Sequence, residues 1–139
     1  MSSTSIHTRR ARSVNQLLGL GFGAVYLLVG LVGFAVSGAG FADPDGGKIL
    51  GLFEVNVLHN IVHLAIGALL VLGALRGPGP ARGVNTLVGA VYLLVGVLGL
   101  FVLESSLNIL ALNTADNLLH FASAALLLGV GLMADKRAR

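Results

Sequence analysis

Four stretches of the chain, Leu17 to Val36, Val57 to Leu75, Leu87 to Leu103 and Thr114 to Met133, are almost wholly apolar, and each is close to the ~20 residues a helix needs to cross a bilayer. Inside a membrane every backbone N–H and C=O must find its partner within the protein, so apolar runs of this length specify helices. The chain has 139 residues, 55% of them hydrophobic and 11% charged, and a soluble domain of that size has no interior large enough for so much apolar surface. The expected fold class is all-α, with four transmembrane helices. The first run follows Arg9, Arg10 and Arg12 and precedes the small residues Ser37 to Gly40, as a secretory signal would. Its apolar core is longer than the usual ~7 to 15 residues, and the same segment recurs in the interior of the chain, where no signal peptidase acts.

That recurrence is a duplication. Val14-Asn15-Gln16-Leu17-Leu18-Gly19 returns as Val84-Asn85-Thr86-Leu87-Val88-Gly89, and Gly23-Ala24-Val25-Tyr26-Leu27-Leu28-Val29-Gly30 returns as Gly89-Ala90-Val91-Tyr92-Leu93-Leu94-Val95-Gly96. Asn56, Asn60 and His63 are echoed by Asn113, Asn117 and His120. The expected organisation is a basic arm (1–13), a first helix-hairpin repeat (14–75), a short loop (76–83), a second repeat (84–133) and a basic tail (134–139). Each unit has two spans, so the tandem copies enter the membrane with parallel orientation, related by an axis along its normal. Pro78 and Pro80 are read as ending helices on either side of a tight link. The stretches Ile49 to Phe53 and Leu107 to Leu112 are read as short interfacial or re-entrant elements capping the outer face.

Orientation follows from the basic residues. Eight of the nine Lys and Arg (Arg9, Arg10, Arg12, Arg76, Arg82, Lys136, Arg137, Arg139) flank the spans on one side and only Lys48 lies on the other, which puts both termini and the central loop in the cytoplasm. Five of the six acids, Asp43, Asp45, Glu54, Glu104 and Asp116, fall on the opposite side. The net charge of +3 thus sets topology and lipid contact and does not point to nucleic acid. With no cysteine, disulfides and thiolate sites are excluded.

The glycines of spans one and three, including Gly19-x-x-x-Gly23, read as close helix packing. Tyr26 and Tyr92 fall near mid-span, where a hydroxyl needs a partner. Asn56 and Asn113 are expected helix caps, with Asp116 at the third helical position, where a carboxylate satisfies free N–H groups. His59 occupies the matching place in the first repeat. His63 and His120 lie ~10 Å below the helix starts at ~1.5 Å per residue, too deep for capping. The i, i+4 spacing puts His59 with His63, and Asp116 with His120, on one face of each helix.

Three readings follow. In the first, His63, His120, Asn60 and Asn117 hydrogen-bond across the bundle as a structural polar cluster in a non-enzymatic accessory membrane protein. In the second, the protein binds a ligand: His59, His63, Asp116 and His120 hold a divalent metal, or His63 and His120 are axial ligands of a haem b. In the third, the same groups pass protons or ions. The lean of side chains toward each helix's N-terminus argues against direct Tyr to His contact. No phosphate-binding loop, nucleophile elbow or zinc-protease motif occurs, so no enzyme is expected. The lipid bilayer is the expected partner, with a homo-oligomer or a membrane-complex partner left open.

The stretches from Asn56 to His63 and from Asn113 to His120, with Tyr26 and Tyr92, resemble a family of small bacterial membrane proteins of unknown function, common in actinobacteria. The resemblance runs from Asn15 to Met133. It implies four helices in the bacterial plasma membrane, and no reaction, cofactor or partner.

Overall fold

The computed structural model describes residues 11–38 and 40–136. Arg9, Arg10, Arg137 and Arg139 lie outside the described residues, as does Ala39. Four helices, α1 (Val14–Gly33), α2 (Val57–Leu75), α3 (Pro78–Val102) and α4 (Thr114–Met133), are each long and apolar enough to cross a membrane. Their outer faces carry large apolar side chains such as Leu28, Leu31, Leu94, Leu100 and Leu118, a surface suited to lipid. The chain is a small multi-pass membrane protein.

Three of the four helices, α1, α2 and α4, begin where a side chain satisfies free N–H groups. Ser13 and Gln16 form a reciprocal capping box on α1, Ser13 N–H donating to Gln16 Oε1 at 3.1 Å and Gln16 N–H to Ser13 Oγ at 3.3 Å. Asn56 caps α2 and Asn113 caps α4. The link between α2 and α3 is shorter than the expected loop 76–83: α3 starts at Pro78, and only Arg76 and Gly77 separate the helices. Proline costs nothing in a first turn, where its missing N–H has no intrahelical acceptor, so Pro78 and Pro80 start a helix here. Gly77 turns the chain at φ +124°, a value that a side chain would oppose.

The α1–α2 connection contains a two-stranded antiparallel hairpin, β1 (Gly47–Ile49) and β2 (Phe53–Val55), a departure from the all-helical expectation. Leu50 and Gly51 turn it with positive φ, and Lys48 pairs with Glu54 at 3.3 Å. The α3–α4 connection is an irregular loop organised by Asn108, whose Nδ2 donates to the carbonyls of Leu103 (3.1 Å) and Leu112 (2.8 Å). Asn56 Nδ2 donates to the Ile109 carbonyl at 2.8 Å and Asn113 Nδ2 to the Leu52 carbonyl at 2.7 Å, so each cap also binds the connection of the other helix pair.

Within each pair the helices touch backbone to backbone. Gly23 lies against Gly67 and Val71, and Gly89 against Leu127 and Leu128, so closely that a Cβ at either glycine would displace its neighbour. Between the pairs, Tyr26, Leu70, Val88, Tyr92, Ala124 and Leu127 form a buried core. Polar ties at the end that holds the described termini add to it: Asn85 Nδ2 donates to the Asn15 carbonyl and to Asn15 Oδ1, at 2.9 and 3.0 Å.

Candidate functional site

The caps set the rotation of α2 and α4. His59 N–H donates to Asn56 Oδ1 and Asp116 N–H to Asn113 Oδ1, both at 2.9 Å. One turn further in, the carboxamides of Asn60 and Asn117 lie on the bare backbones of Gly33 and Gly99, where any Cβ would overlap them. Each α2 or α4 helix is thereby keyed to its α1 or α3 neighbour at the depth of the histidines. This is a different role for the asparagines from the cross-bundle hydrogen bonding expected of them. Asn60 has neither carboxamide atom hydrogen-bonded, and Asn117 Oδ1 is also without a partner.

The keyed helices turn three imidazoles to one place. His59, His63 and His120 are buried, and one ring nitrogen from each lies within 4.8 Å of those of the other two. Ring centroids of His59 and His63 are 4.4 Å apart, and those of His59 and His120 are 6.1 Å apart. All three Nδ1 atoms are buried without a hydrogen-bond partner, although buried ring nitrogens are ordinarily paired. The expected lock of His63 and His120 onto the asparagines is therefore not formed. The rings border a cavity of about 30 Å³ that Ile66, Tyr92 and Leu110 help to line.

Asp116 stands apart from this trio. Its Oδ2 accepts from Asn113 N–H at 3.1 Å and from Glu54 N–H at 3.0 Å, closing a capping box and fastening the hairpin to α4. The four-residue set expected from helical spacing is thus three histidines, because the carboxylate is consumed at the helix start. Nor do the rings leave room for a haem. A porphyrin fills a pocket of roughly 300 Å³ or more, far above the space between these rings, and the nearby glycines Gly30 and Gly96 are covered by Leu64 and Phe121.

Both tyrosines contact histidines, against expectation. Tyr26 stacks on His63 with centroids 5.5 Å apart and planes 8° apart, and Tyr92 on His120 at 5.1 Å and 19°. Tyr26 is seven residues from the end of α1 and His63 six from the start of α2. At ~1.5 Å per residue the two Cα atoms differ by only ~1.5 Å in depth, so opposite leans do not part rings of this size. Toward the described termini Leu70, Leu127 and Val88 close the core beneath the rings.

Four residues given no role by sequence reasoning, Ser123, Asn15, Asn85 and Asp135, take part in ties between the two helix pairs. Ser123 accepts a hydrogen bond from Tyr26 Oη at 2.8 Å. Asn15 binds Asn85, and Asp135 accepts from both the backbone N–H and Nδ2 of Asn15 at 2.9 Å. Matched asparagines at 15 and 85 were visible in the sequence, but Ser123 falls where α2 has the apolar Ile66 and so carried no signal.

No curated protein and no solved structure is significantly similar to this chain. One family model, described as a domain of unknown function (DUF4383), matches residues 16–133 and so takes in the four helices, save the first two residues of α1, and every residue of the histidine cluster. The chain belongs to the DUF4383 family, a family of unknown function.

Proposed function

We propose that this protein is a metal-binding accessory component of the bacterial plasma membrane, non-enzymatic, with both termini in the cytoplasm and a divalent transition metal held by His59, His63 and His120. The observation that carries this reading is the convergence of three buried ring nitrogens within 4.8 Å of one another around a small cavity. Three neutral imidazoles suit Zn²⁺ or Cu²⁺, and three protein ligands leave a fourth position open to water. A buried cluster of unpaired imidazole nitrogens is costly by itself, and a metal would remove that cost by accepting their lone pairs. The tyrosines stacked on His63 and His120 hold ring orientation, the office that outer-shell groups serve in metal sites. Five of the six acids lie toward the hairpin end of the bundle, where they would raise the local cation concentration near the site. The packed core of Leu70, Val88 and Leu127 favours a bound metal over passage of ions or protons across the bundle.

Elemental analysis of full-length protein purified in mild detergent without chelators tests the reading. Near-stoichiometric zinc or copper is expected, lost in a His63→Ala, His120→Ala double variant and reduced in His59→Ala. Asp116→Asn should keep the metal, because its carboxylate binds backbone N–H groups and not the trio. Metal-free, folded natural protein that also fails to take up added Zn²⁺ or Cu²⁺ would sink the proposal. Metal retained in the double variant would do the same.

A further inference from the structure

The two repeats build two seams where one pair meets the other, and the seams are not alike. Counting from the matched Gly23 and Gly89, Gly21 of α1 falls where α3 has Leu87. Counting from the matched His63 and His120, Ser123 of α4 falls where α2 has Ile66. Ile66, packed against the core, is thus replaced in the α1–α4 seam by a hydroxymethyl group, and the exposed Leu87 by a bare hydrogen. The result is a cavity of about 430 Å³ lined by Gly21, Phe22, Val25, Tyr26, Leu119 and Ser123 among others. Gly21 is exposed, and a Cβ there would meet nothing within 4 Å, so the glycine keeps the groove open and packs no helix.

The floor of this groove is polar although its walls are not. Tyr26 Oη donates to Ser123 Oγ at 2.8 Å, both residues being at most 5% exposed. Among the described residues Ser123 Oγ donates to no protein acceptor, so its hydroxyl hydrogen is available to a ligand oxygen. In the closed seam the counterpart of Ser123 is Ile66, and Tyr92 Oη is buried without a partner. One side wall is aromatic, with the Phe22 and Tyr26 rings 5.8 Å apart. The volume lies within the usual range of small-ligand sites, about 300–1,000 Å³, and the combination of apolar walls with one oriented polar group is their usual chemistry.

From these observations we infer that the α1–α4 seam is a lateral binding groove for a membrane-dissolved quinone. A flat ring lies against Phe22 and Tyr26, a ring carbonyl accepts from Ser123, and an apolar tail runs between Val25 and Leu119 into the lipid. This inference does not depend on metal at the histidines, since none of the groove residues belongs to that trio.

The test uses full-length protein in lipid nanodiscs and a photoreactive azidobenzoquinone with a decyl tail, its adducts located by peptide mass spectrometry and competed with decylubiquinone. Adducts concentrated on Phe22, Val25 and Leu119, and suppressed by decylubiquinone, are expected. Gly21→Leu, which places a bulky side chain in the lining, should cut them at least tenfold, whereas Gly129→Leu, equally free of neighbours and outside the lining, should leave them unchanged. Ser123→Ala should weaken competition about three- to tenfold, the worth of one hydrogen bond. Metal content measured on the same samples separates failure here from failure of the histidine site. Adducts scattered over the lipid-facing surface and insensitive to Gly21→Leu would overturn the inference. So would a groove filled by a co-purified phospholipid that decylubiquinone cannot displace, or by a second copy whose dimer Gly21→Leu dissolves.

Discussion

Gly33 and Asn60, and Gly99 with Asn117, are the contacts on which the placement of the histidines turns. Each asparagine carboxamide occupies the space a side chain would take on the facing glycine. Gly33→Ala should therefore force α1 and α2 apart or push Asn60 out of its rotamer, at a cost of about 1–3 kcal/mol typical of overpacking. Thermal unfolding in detergent should show a lower midpoint for Gly33→Ala and for Gly99→Ala, with recovery when Asn60→Ala or Asn117→Ala makes room on the facing helix. Equal loss in the single and double variants would show that the methyl harms something other than this contact. At this scale much was legible in the sequence. The i, i+4 histidines and the asparagine caps need only helical periodicity to be read, and the structure has Asn56 and Asn113 accepting from the third helical N–H. What periodicity could not tell was which of several polar residues on a face meets which neighbour. Asp116 and His59 hold equivalent positions, yet one closes a capping box and the other turns inward: a carboxylate oxygen accepts two backbone N–H groups at once, whereas a neutral imidazole has a single acceptor nitrogen.

Among the elements, α1 and α4 are joined at the end that holds the described termini by the Asp135 carboxylate, with longer bonds from Asn15 Nδ2 to the carbonyls of Val130 (3.4 Å) and Ala134 (3.5 Å) beside it. Asp135 follows α4 at φ +53° and accepts from the backbone N–H of Asn15, with the Asn15 side chain adding a second bond at 2.9 Å. The backbone bond is the chief cause that holds its carboxyl below the ordinary aspartate range, the Asn15 and Ser13 side chains helping and partial burial opposing. A carboxyl whose pKa is depressed by folding stabilises the fold above its unfolded value, ~4, and that contribution fades as pH falls through the folded value. Thermal midpoints of the natural protein should drop as pH is lowered below ~4, and Asp135→Asn, which keeps the tolerance for positive φ, should start lower and lose that part of the pH dependence. An unchanged profile in Asp135→Asn would remove the latch. Element boundaries were the part least open to sequence reading. Prolines at 78 and 80 look like helix ends until their place in a first turn is known, and strands of three residues, Gly47–Ile49 and Phe53–Val55, are too short to show an alternating pattern.

For the whole molecule, two hairpins of the same orientation place the Gly77 link and the described ends of α1 and α4 at one end, and the β-hairpin and the Asn108 loop at the other. Which end faces the cytoplasm depends on charge: eight of nine basic residues belong to the first end in sequence. The absence of cysteine makes this directly testable, because a single introduced thiol is the only one present. Gly79→Cys, exposed in the first turn of α3 beside the link, should react with a membrane-impermeant maleimide in inside-out vesicles and stay protected in intact spheroplasts, whereas Ser106→Cys in the α3–α4 loop should show the reverse. The opposite pattern would invert the molecule and with it the proposed route of metal to the histidines. By helical rise His59 lies ~3 Å and His63 and His120 ~9 Å from the hairpin end, and the Leu70, Val88 and Leu127 layer separates all three from the other end. If the labelling holds, a metal reaches the trio from the extracytoplasmic face, past the acidic hairpin end. Cells would then supply it from outside the cytoplasm, and chelators confined to that side would strip it.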